Sequence, residues 1–523
     1  MTRFAARSLL PLIAGLIASL NFAGAAMAQR GAAMMDPTDS ATTDTATVQP
    51  MITSGLTYDL QKSFDAASLG KGARLSILAV EADRGVVRVE INADTPMKPA
   101  SLAKLLTCAA ALEVLGPDQT FTTTVETNGI VKGATVLGDL VLRGGGDPTL
   151  GPRFQTDKSN NTEIFESWAA ELRKKGIKSI QGNVIGNDLR YMDEPLAIGW
   201  EPTEYAEWYS AEVSPLCFNE NVLDVLWRAS SKPGDRVIPQ VIPKTSFATV
   251  ESNVRVGSAK STTRLRYFRF KTENNLRARG TMPPNAQSYD FAAIHEPARF
   301  AAHVFMETLE AKGIDVRGTA MSQRILSEDE PTTEPLVLIT HQSPSLAEML
   351  PVILGNSQNL YAEVMLRETA LASGLPASFR GGAQAVEKWL RSHRLHRSGF
   401  VLVDGSGLSP VDRIPARMIA DVLRFEAKSP NAALWKSSLA TPGKRSLGER
   451  FTGSQYAALN SDLQAKTGYI AGAHTLAGYL TNSRGTDYVF VIMINGYDPD
   501  RSREARDTLD DLVLELHNSE LIP

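Results

Sequence analysis

The sequence predicts an α+β chain: an antiparallel sheet fed by both ends, a helical cluster beside it, and a large β-rich insert of one or two subdomains between the halves. Three observations carry this reading. Both ends mix helical and strand periodicity, whereas the middle is a series of short strand-like runs separated by turn residues. The 523 residues exceed what one core usually serves. The composition, 43% hydrophobic and 21% charged, is that of a globular protein.

Residues 1–28 have the form of a signal peptide for export. Arg3 and Arg7 precede an apolar stretch over 9–20, and Ala26-Met27-Ala28 makes a small-residue cleavage site. Cleavage would begin the mature chain near Gln29, with no cysteine there to carry a lipid. No later stretch has the length and apolarity of a membrane span, so an exported chain with no transmembrane anchor is expected. Residues 29–54, rich in Ala, Thr, Met and Asp without periodicity, read as a flexible leader.

The first half of the main domain is assigned to 55–125. Leu56, Leu60, Phe64 and Ala67 have helical spacing, and strands over 74–80 and 86–91 are joined by the turn Asp83-Arg84-Gly85. A second helix begins near Ser101, with Leu105, Leu106, Ala109, Leu112, Val114 and Leu115 as its apolar run. The insert is assigned to 126–290. It holds a helix over 160–176, an aromatic section with Trp200, Tyr205, Trp208 and Tyr209, and short strands over 223–227, 236–241, 248–254, 265–271 and 276–282. Its Arg143-Gly144-Gly145-Gly146-Asp147-Pro148 run lacks the Gly-Lys-Ser/Thr ending of a phosphate loop and reads as a tight turn closing a strand. The second half, 291–523, returns to helical texture from about 295. It adds a strand over 337–341 expected at the edge of the site, and closes with strands over 475–480 and 488–494 and a helix over 503–516.

The net charge of −4 offers no case for nucleic acid or an anionic membrane, so any field for an anionic substrate must be local. Asp510, Asp511, Glu515 and Glu520 argue the same way for the last helix and the residues just after it. Cys108 and Cys217 are far apart and read as two buried thiols rather than a bridge. No His, Cys or carboxylate cluster has metal-ligand spacing, and no cofactor is expected.

Three short stretches carry chemistry. Ser101 and Lys104 stand three residues apart at a helix start, on one face, so the ammonium can reach the hydroxyl. A serine needs a neighbouring base to become a nucleophile, and unpaired N–H groups in a first helical turn favour an oxyanion. Ser357-Gln358-Asn359 sits at a turn between two helices, which presents its side chains to a cleft. Lys466-Thr467-Gly468 opens a strand, and its glycine lets a ligand backbone approach closely. Singly, each stretch is common. Their joint occurrence in this order is specific.

Together they resemble the Ser-x-x-Lys, Ser-x-Asn and Lys-Thr-Gly motifs of the penicillin-binding proteins and serine β-lactamases. The long stretch between Lys104 and Ser357 is similar to the low-molecular-mass class C penicillin-binding proteins, the D-alanyl-D-alanine carboxypeptidase/endopeptidase family. Leu115-Gly116-Pro117-Asp118, Gly138-Asp139-Leu140, Gly144-Gly145-Gly146-Asp147-Pro148-Thr149-Leu150, Asp404-Gly405-Ser406-Gly407-Leu408-Ser409 and Ser438-Leu439-Ala440 agree with it, and the resemblance runs from about 56 to 520.

The resemblance implies a β-lactamase/DD-peptidase-like domain interrupted by the insert. It implies a periplasmic enzyme, at most loosely membrane-associated, that acts on peptidoglycan stem peptides and cross-links through an acyl-enzyme. β-Lactam antibiotics would be its covalent inhibitors, and no cofactor or metal would be needed. Ser101 would attack the carbonyl and Lys104 take its proton, which requires burial and the nearby Lys466 to lower a pKa ordinarily near about 10. Ser357 would relay a proton to the leaving amine, Asn359 bond the substrate amide, and Lys466 and Thr467, beside Gly468, bind the terminal carboxylate. The backbone N–H groups of Ser101 and Tyr469 would form the oxyanion hole. Gln358 and Tyr469 depart from the family's usual Asp and Thr or Ser. The first is expected to point away from the cleft and the second to reshape the carboxylate end. Asp193 is a candidate contact for the amine of a cross-linking diamino acid, and His474 is expected to be structural. Two other readings stay open: a β-lactamase or esterase on the same fold, and a non-catalytic peptidoglycan- or β-lactam-binding scaffold or sensor.

Overall fold

The structure, a computed structural model, describes residues 55–192, 194–326 and 334–519. The expected signal peptide and leader, Asp193 and Glu520 lie outside the described residues.

Strand periodicity explains the central sheet. Leu75, Ile77 and Ala79 of Arg74–Glu81 face one side, and Leu78 and Val80 face the other. Asp487–Asn495 repeats the pattern, with Phe490, Ile492 and Ile494 on the first side and Val489, Val491 and Met493 on the second. A strand apolar on both faces must be covered on both. The helices Gly55–Ala66 and Ser502–Asn518 cover the first side through Leu60, Phe64, Leu509, Leu512 and Leu516. Ala103–Val114 and Ala416–Glu426 cover the second through Leu105, Leu106, Met418, Ile419 and Val422.

The sheet has five antiparallel strands in the order Val87–Ile91, Arg74–Glu81, Asp487–Asn495, Ala473–Thr481, Leu463–Ile470. An N-terminal hairpin and three C-terminal strands therefore make one sheet, as expected from the chain's two ends. Ala103–Val114 is buried on nearly every side, Ala103 to Leu112 without a gap, which is why its sequence is apolar all round. Lys104 and Thr107 are the polar residues in that buried run. Cys108 and Cys217 are free thiols, both buried. Among the described residues no helix is long and apolar enough to cross a membrane.

The insert is built on a second five-stranded sheet in the order Ala320–Ser322, Val184–Asn187, Leu140–Arg143, Thr122–Thr127, Leu336–Gln342. Glu163–Lys174 and Pro297–Ala311 pack there through Phe165, Trp168, Phe300 and Phe305. This layer runs past the limits of 126 and 290 read from the sequence. The strand expected over 337–341 at the edge of the site pairs with Thr122–Thr127 instead, burying Leu338 and Ile339 in the insert's core. Helical texture after 295 marks a helix but not the layer it joins, because that depends on contacts with distant residues.

Hydrogen bonds among side chains and backbone attach the insert to the main domain at several places. Arg190 and Tyr191 bond the Glu368 carboxylate at 2.6 and 2.9 Å. Trp200 Nε1 donates to Asp404 Oδ2 at 2.8 Å, the Tyr209 carbonyl accepts from Asn359 Nδ2 at 2.8 Å, and Glu220 accepts from Gln358 Nε2.

Candidate active site

Ser101 stands on a short 3-10 turn, Ala100–Leu102, that runs straight into Ala103–Val114. The turn is entered through Ala100, whose φ of 48° lies in the left-handed region that a β-carbon disfavours. Its neighbours enforce this. Thr475 Oγ1 donates to the Pro99 carbonyl at 2.8 Å, and Asn495 Oδ1 accepts the Lys98 amide at 2.8 Å. Gly407 approaches so closely that an added β-carbon would lie 1.9 Å from the Ala100 oxygen, and its own φ is 77°.

Helical spacing then brings Lys104 under Ser101. Its side chain is 0% exposed, and Nζ donates to Ser101 Oγ at 3.0 Å, Asn359 Oδ1 at 2.6 Å and the Ser406 carbonyl at 2.8 Å. Burial lowers its pKa to about 8, against the opposing pull of Glu363 and Asp404.

Ser357 lies at the break before helix Asn359–Ala372, with a left-handed φ of 67°. Lys466 Nζ, on the edge strand and also 0% exposed, donates to Ser357 Oγ at 2.8 Å and to the Thr467 carbonyl at 2.7 Å. Burial, and then the Lys104 charge, hold the Lys466 pKa well below the ordinary lysine value. Burial is thus the first cause of lowering at both lysines. A β-carbon on Gly468 would sit 2.1 Å from Thr475 Oγ1 and 3.0 Å from the Ser101 amide nitrogen, so the edge strand runs directly beside the Ser101 turn. Thr467 is half-buried there.

Tyr469 is 60% exposed. Its ring stacks on His474 at 4.7 Å, and His474 stacks on Tyr497 at 5.4 Å. His474 Nε2 lies 3.1 Å from Ser502 Oγ, and burial lowers the imidazole pKa to about 4. This histidine thus contacts the aromatic pile and Ser502, outside the lysine–serine network.

Two middle-motif residues are placed by the insert. Gln358 is buried; its Nε2 donates to Glu220 and its Oε1 accepts the Leu360 amide at 3.3 Å. Asn359, expected on a substrate amide, has both ends of its own amide on protein partners, Lys104 and the Tyr209 carbonyl.

Sequence reasoning missed the layer beneath. Glu363 is buried, with its carboxylate accepting the Gly405 and Ser406 amides at 2.8 Å each. Burial and the Asp404 charge push its pKa up to about 7. Asp404 accepts the Gly407 and Ser409 amides at 2.6 and 2.7 Å, besides Trp200. These carboxylates shape the loop that offers the Ser406 carbonyl to Lys104. The signal was available for Glu363, an acidic residue in an apolar helical run, four residues beyond Asn359 and so on the same face.

Comparison with known proteins adds the wider setting. A family model described as the D-Ala-D-Ala carboxypeptidase 3 (S13) family matches residues 57–516. A D-alanyl-D-alanine carboxypeptidase of an Actinomadura species is 28% identical over 440 residues, covering 82% of this chain and 78% of that protein. The D-alanyl-D-alanine carboxypeptidase DacB of Haemophilus influenzae is 25% identical over 432 residues, covering 82% and 87%. The crystal structure of penicillin binding protein 4 from Haemophilus influenzae matches the fold with a TM-score of 0.73 at 24% identity, over 87% of this chain and 99% of that one.

Proposed function

The chain belongs to the D-Ala-D-Ala carboxypeptidase 3 (S13) family, and from that premise we propose that it is a serine DD-carboxypeptidase working with the residues assembled around Ser101. The observation that supports this most directly is the pairing of two serines with two fully buried lysines, Ser101 with Lys104 and Ser357 with Lys466.

In this reading Ser101 Oγ attacks the carbonyl carbon of the penultimate D-alanine, and its proton passes to neutral Lys104. Backbone N–H groups of Ser101 and Tyr469 receive the charge that develops on the carbonyl oxygen. The carbon–nitrogen bond breaks, the leaving amine takes a proton through Ser357 from Lys466, and an ester remains on Ser101. Water then hydrolyses that ester. Lys466 and Thr467 supply the local positive field for the terminal carboxylate that the net charge does not provide. Asn359 holds Lys104 in place and, with its second Nδ2 hydrogen and second Oδ1 lone pair, can also bond a substrate amide. A β-lactam would enter the same pathway and stop at the ester, as a covalent inhibitor. Peptidoglycan stem peptides and cross-links in the periplasm are the proposed substrates, with export by the N-terminal signal.

The direct test is release of free D-alanine from a stem pentapeptide ending in D-Ala-D-Ala by the purified mature chain. Digestion of cross-linked muropeptides then separates carboxypeptidase from endopeptidase action. No D-alanine and no cleaved cross-link would defeat the proposal.

The pH dependence gives a second check. A lysine base works when unprotonated, so acylation should rise through about pH 8, the value burial imposes on Lys104. The negative charge of Glu363 raises that value. Glu363→Gln should therefore move the rising limb toward lower pH, by about half a unit to one unit. Stopped-flow acylation by a chromogenic penicillin reads this, and a limb that stays put would show that Glu363 does not set the lysine.

A further inference from the structure

One residue from Ser357, the Gln358 side chain reaches Glu220 of the insert, and Glu220 lines a cavity of about 370 Å³ that the reaction above does not use. Cavities of roughly 300–1,000 Å³ with a few fixed polar groups are typical small-molecule sites.

The polar part of this lining is held rigidly. Asn219, Glu220 and Asn221 are three consecutive residues in the left-handed region, with φ of 50°, 54° and 59°. Side chains adopt such a run only where their surroundings enforce it. Here Asn219 Nδ2 donates to the Val222 carbonyl and to Asp224 Oδ1, both at 2.9 Å. Asn161 Nδ2 donates to Asn219 Oδ1 and Asp224 Oδ2, also at 2.9 Å, and the Tyr289 hydroxyl donates to the same Asp224 oxygen. Arg153 pairs with Glu220.

The lining is also neutral overall, since Arg153 and Lys158 balance Glu220 and Asp224. An ion of either sign would find no excess counter-charge. Against this polar surface stand two exposed rings, Tyr289 at 53% and Phe291 at 39%, edge to face with centroids 5.5 Å apart. A neutral, preordered set of amide, carboxylate and guanidinium groups beside exposed aromatic faces suits a ligand with hydroxyl and amide edges and an apolar C–H face. Sugar rings have that chemistry.

We infer that this cavity is a saccharide site, and that it takes a neutral amino-sugar unit of the glycan to which stem peptides are attached. The saccharide class follows from the lining; the choice of glycan rests on the proposed DD-peptidase function. A glycan held there, tied through Glu220 and Gln358 to the Ser357 turn, would keep its stem peptide near Ser101.

The test titrates the full mature chain with a short oligomer of N-acetylglucosamine, by calorimetry, before and after acylation with penicillin. Binding is expected in both states, because the cavity is separate from Ser101. Phe291→Ala, a change at an exposed side chain, should weaken oligomer binding roughly three- to tenfold. It should lower kcat/KM by a similar factor for a glycan-linked stem peptide and leave that for the free peptide unchanged. A natural chain that does not bind the oligomer would overturn the inference, as would equal losses on both substrates. Oligomer binding by a chain that releases no D-alanine would keep the saccharide site and defeat the peptidase reading alone.

Discussion

After brief exposure to penicillin, the natural mature chain should gain the mass of one antibiotic molecule, and the Ser101→Ala chain should gain none. The hydroxyl of Ser101 is the group that Lys104 Nζ reaches at 3.0 Å, on a turn whose backbone is fixed by Pro99, Ala100 and Gly407. Alanine preserves that backbone and removes the attacking atom. D-Alanine release should fall by about a millionfold, the scale on which serine hydrolases lose activity with their nucleophile. Folding should be nearly unaffected, because Ser101 is only half-buried. Intact-protein mass spectrometry decides the outcome. Consumption of penicillin without an adduct on the natural chain would turn the assignment toward a β-lactamase. Intact penicillin with no adduct would leave a binding scaffold.

Lys104→Ala should cost less in rate and more in structure. Loss of a general base typically lowers a rate by about 10²–10⁴-fold. Here the amine also caps the Ser406 carbonyl and Asn359 Oδ1, both inside the protein. A buried acceptor left without its donor costs about 1–3 kcal/mol. The desolvated charge that disappears offsets part of this, so the fall in unfolding free energy should stay near the lower end of that range. Urea unfolding measures the stability term and penicillin acylation the rate term. A variant that acylates at the natural rate would remove Lys104 from the mechanism.

The local part of the site was legible because spacing encodes it. Ser101 and Lys104 meet through helical periodicity, and the apolar residues after them announce a buried helix. The central sheet was legible for the same reason, since Arg74–Glu81 and Asp487–Asn495 are strands with apolar side chains on both faces. What could not be read depends on partners far along the chain. Asn359 turns its amide to Lys104 and Tyr209, and Asp404 answers Trp200 across the whole insert boundary. Leu336–Gln342 joins the insert because its register matches Thr122–Thr127, a fact of pairing rather than of composition. The pocket beside Gln358 lay beyond reach because three left-handed residues in a row have no simple sequence signature.

The order of strands in the central sheet has a consequence for how the enzyme comes into being. Arg74–Glu81 lies between its own hairpin partner and Asp487–Asn495, the last strand of the sheet to leave the ribosome. Lys466 belongs to the same late segment. Ser101 is therefore made early but waits for almost the entire described chain before the sheet can close and Lys466 arrives. Closing so long a loop is entropically costly and slow to nucleate. A fragment that stops short of Asp487–Asn495 holds no closed sheet beside Ser101, and until that strand pairs the half-built sheet exposes an edge that must be kept from pairing with the wrong partner.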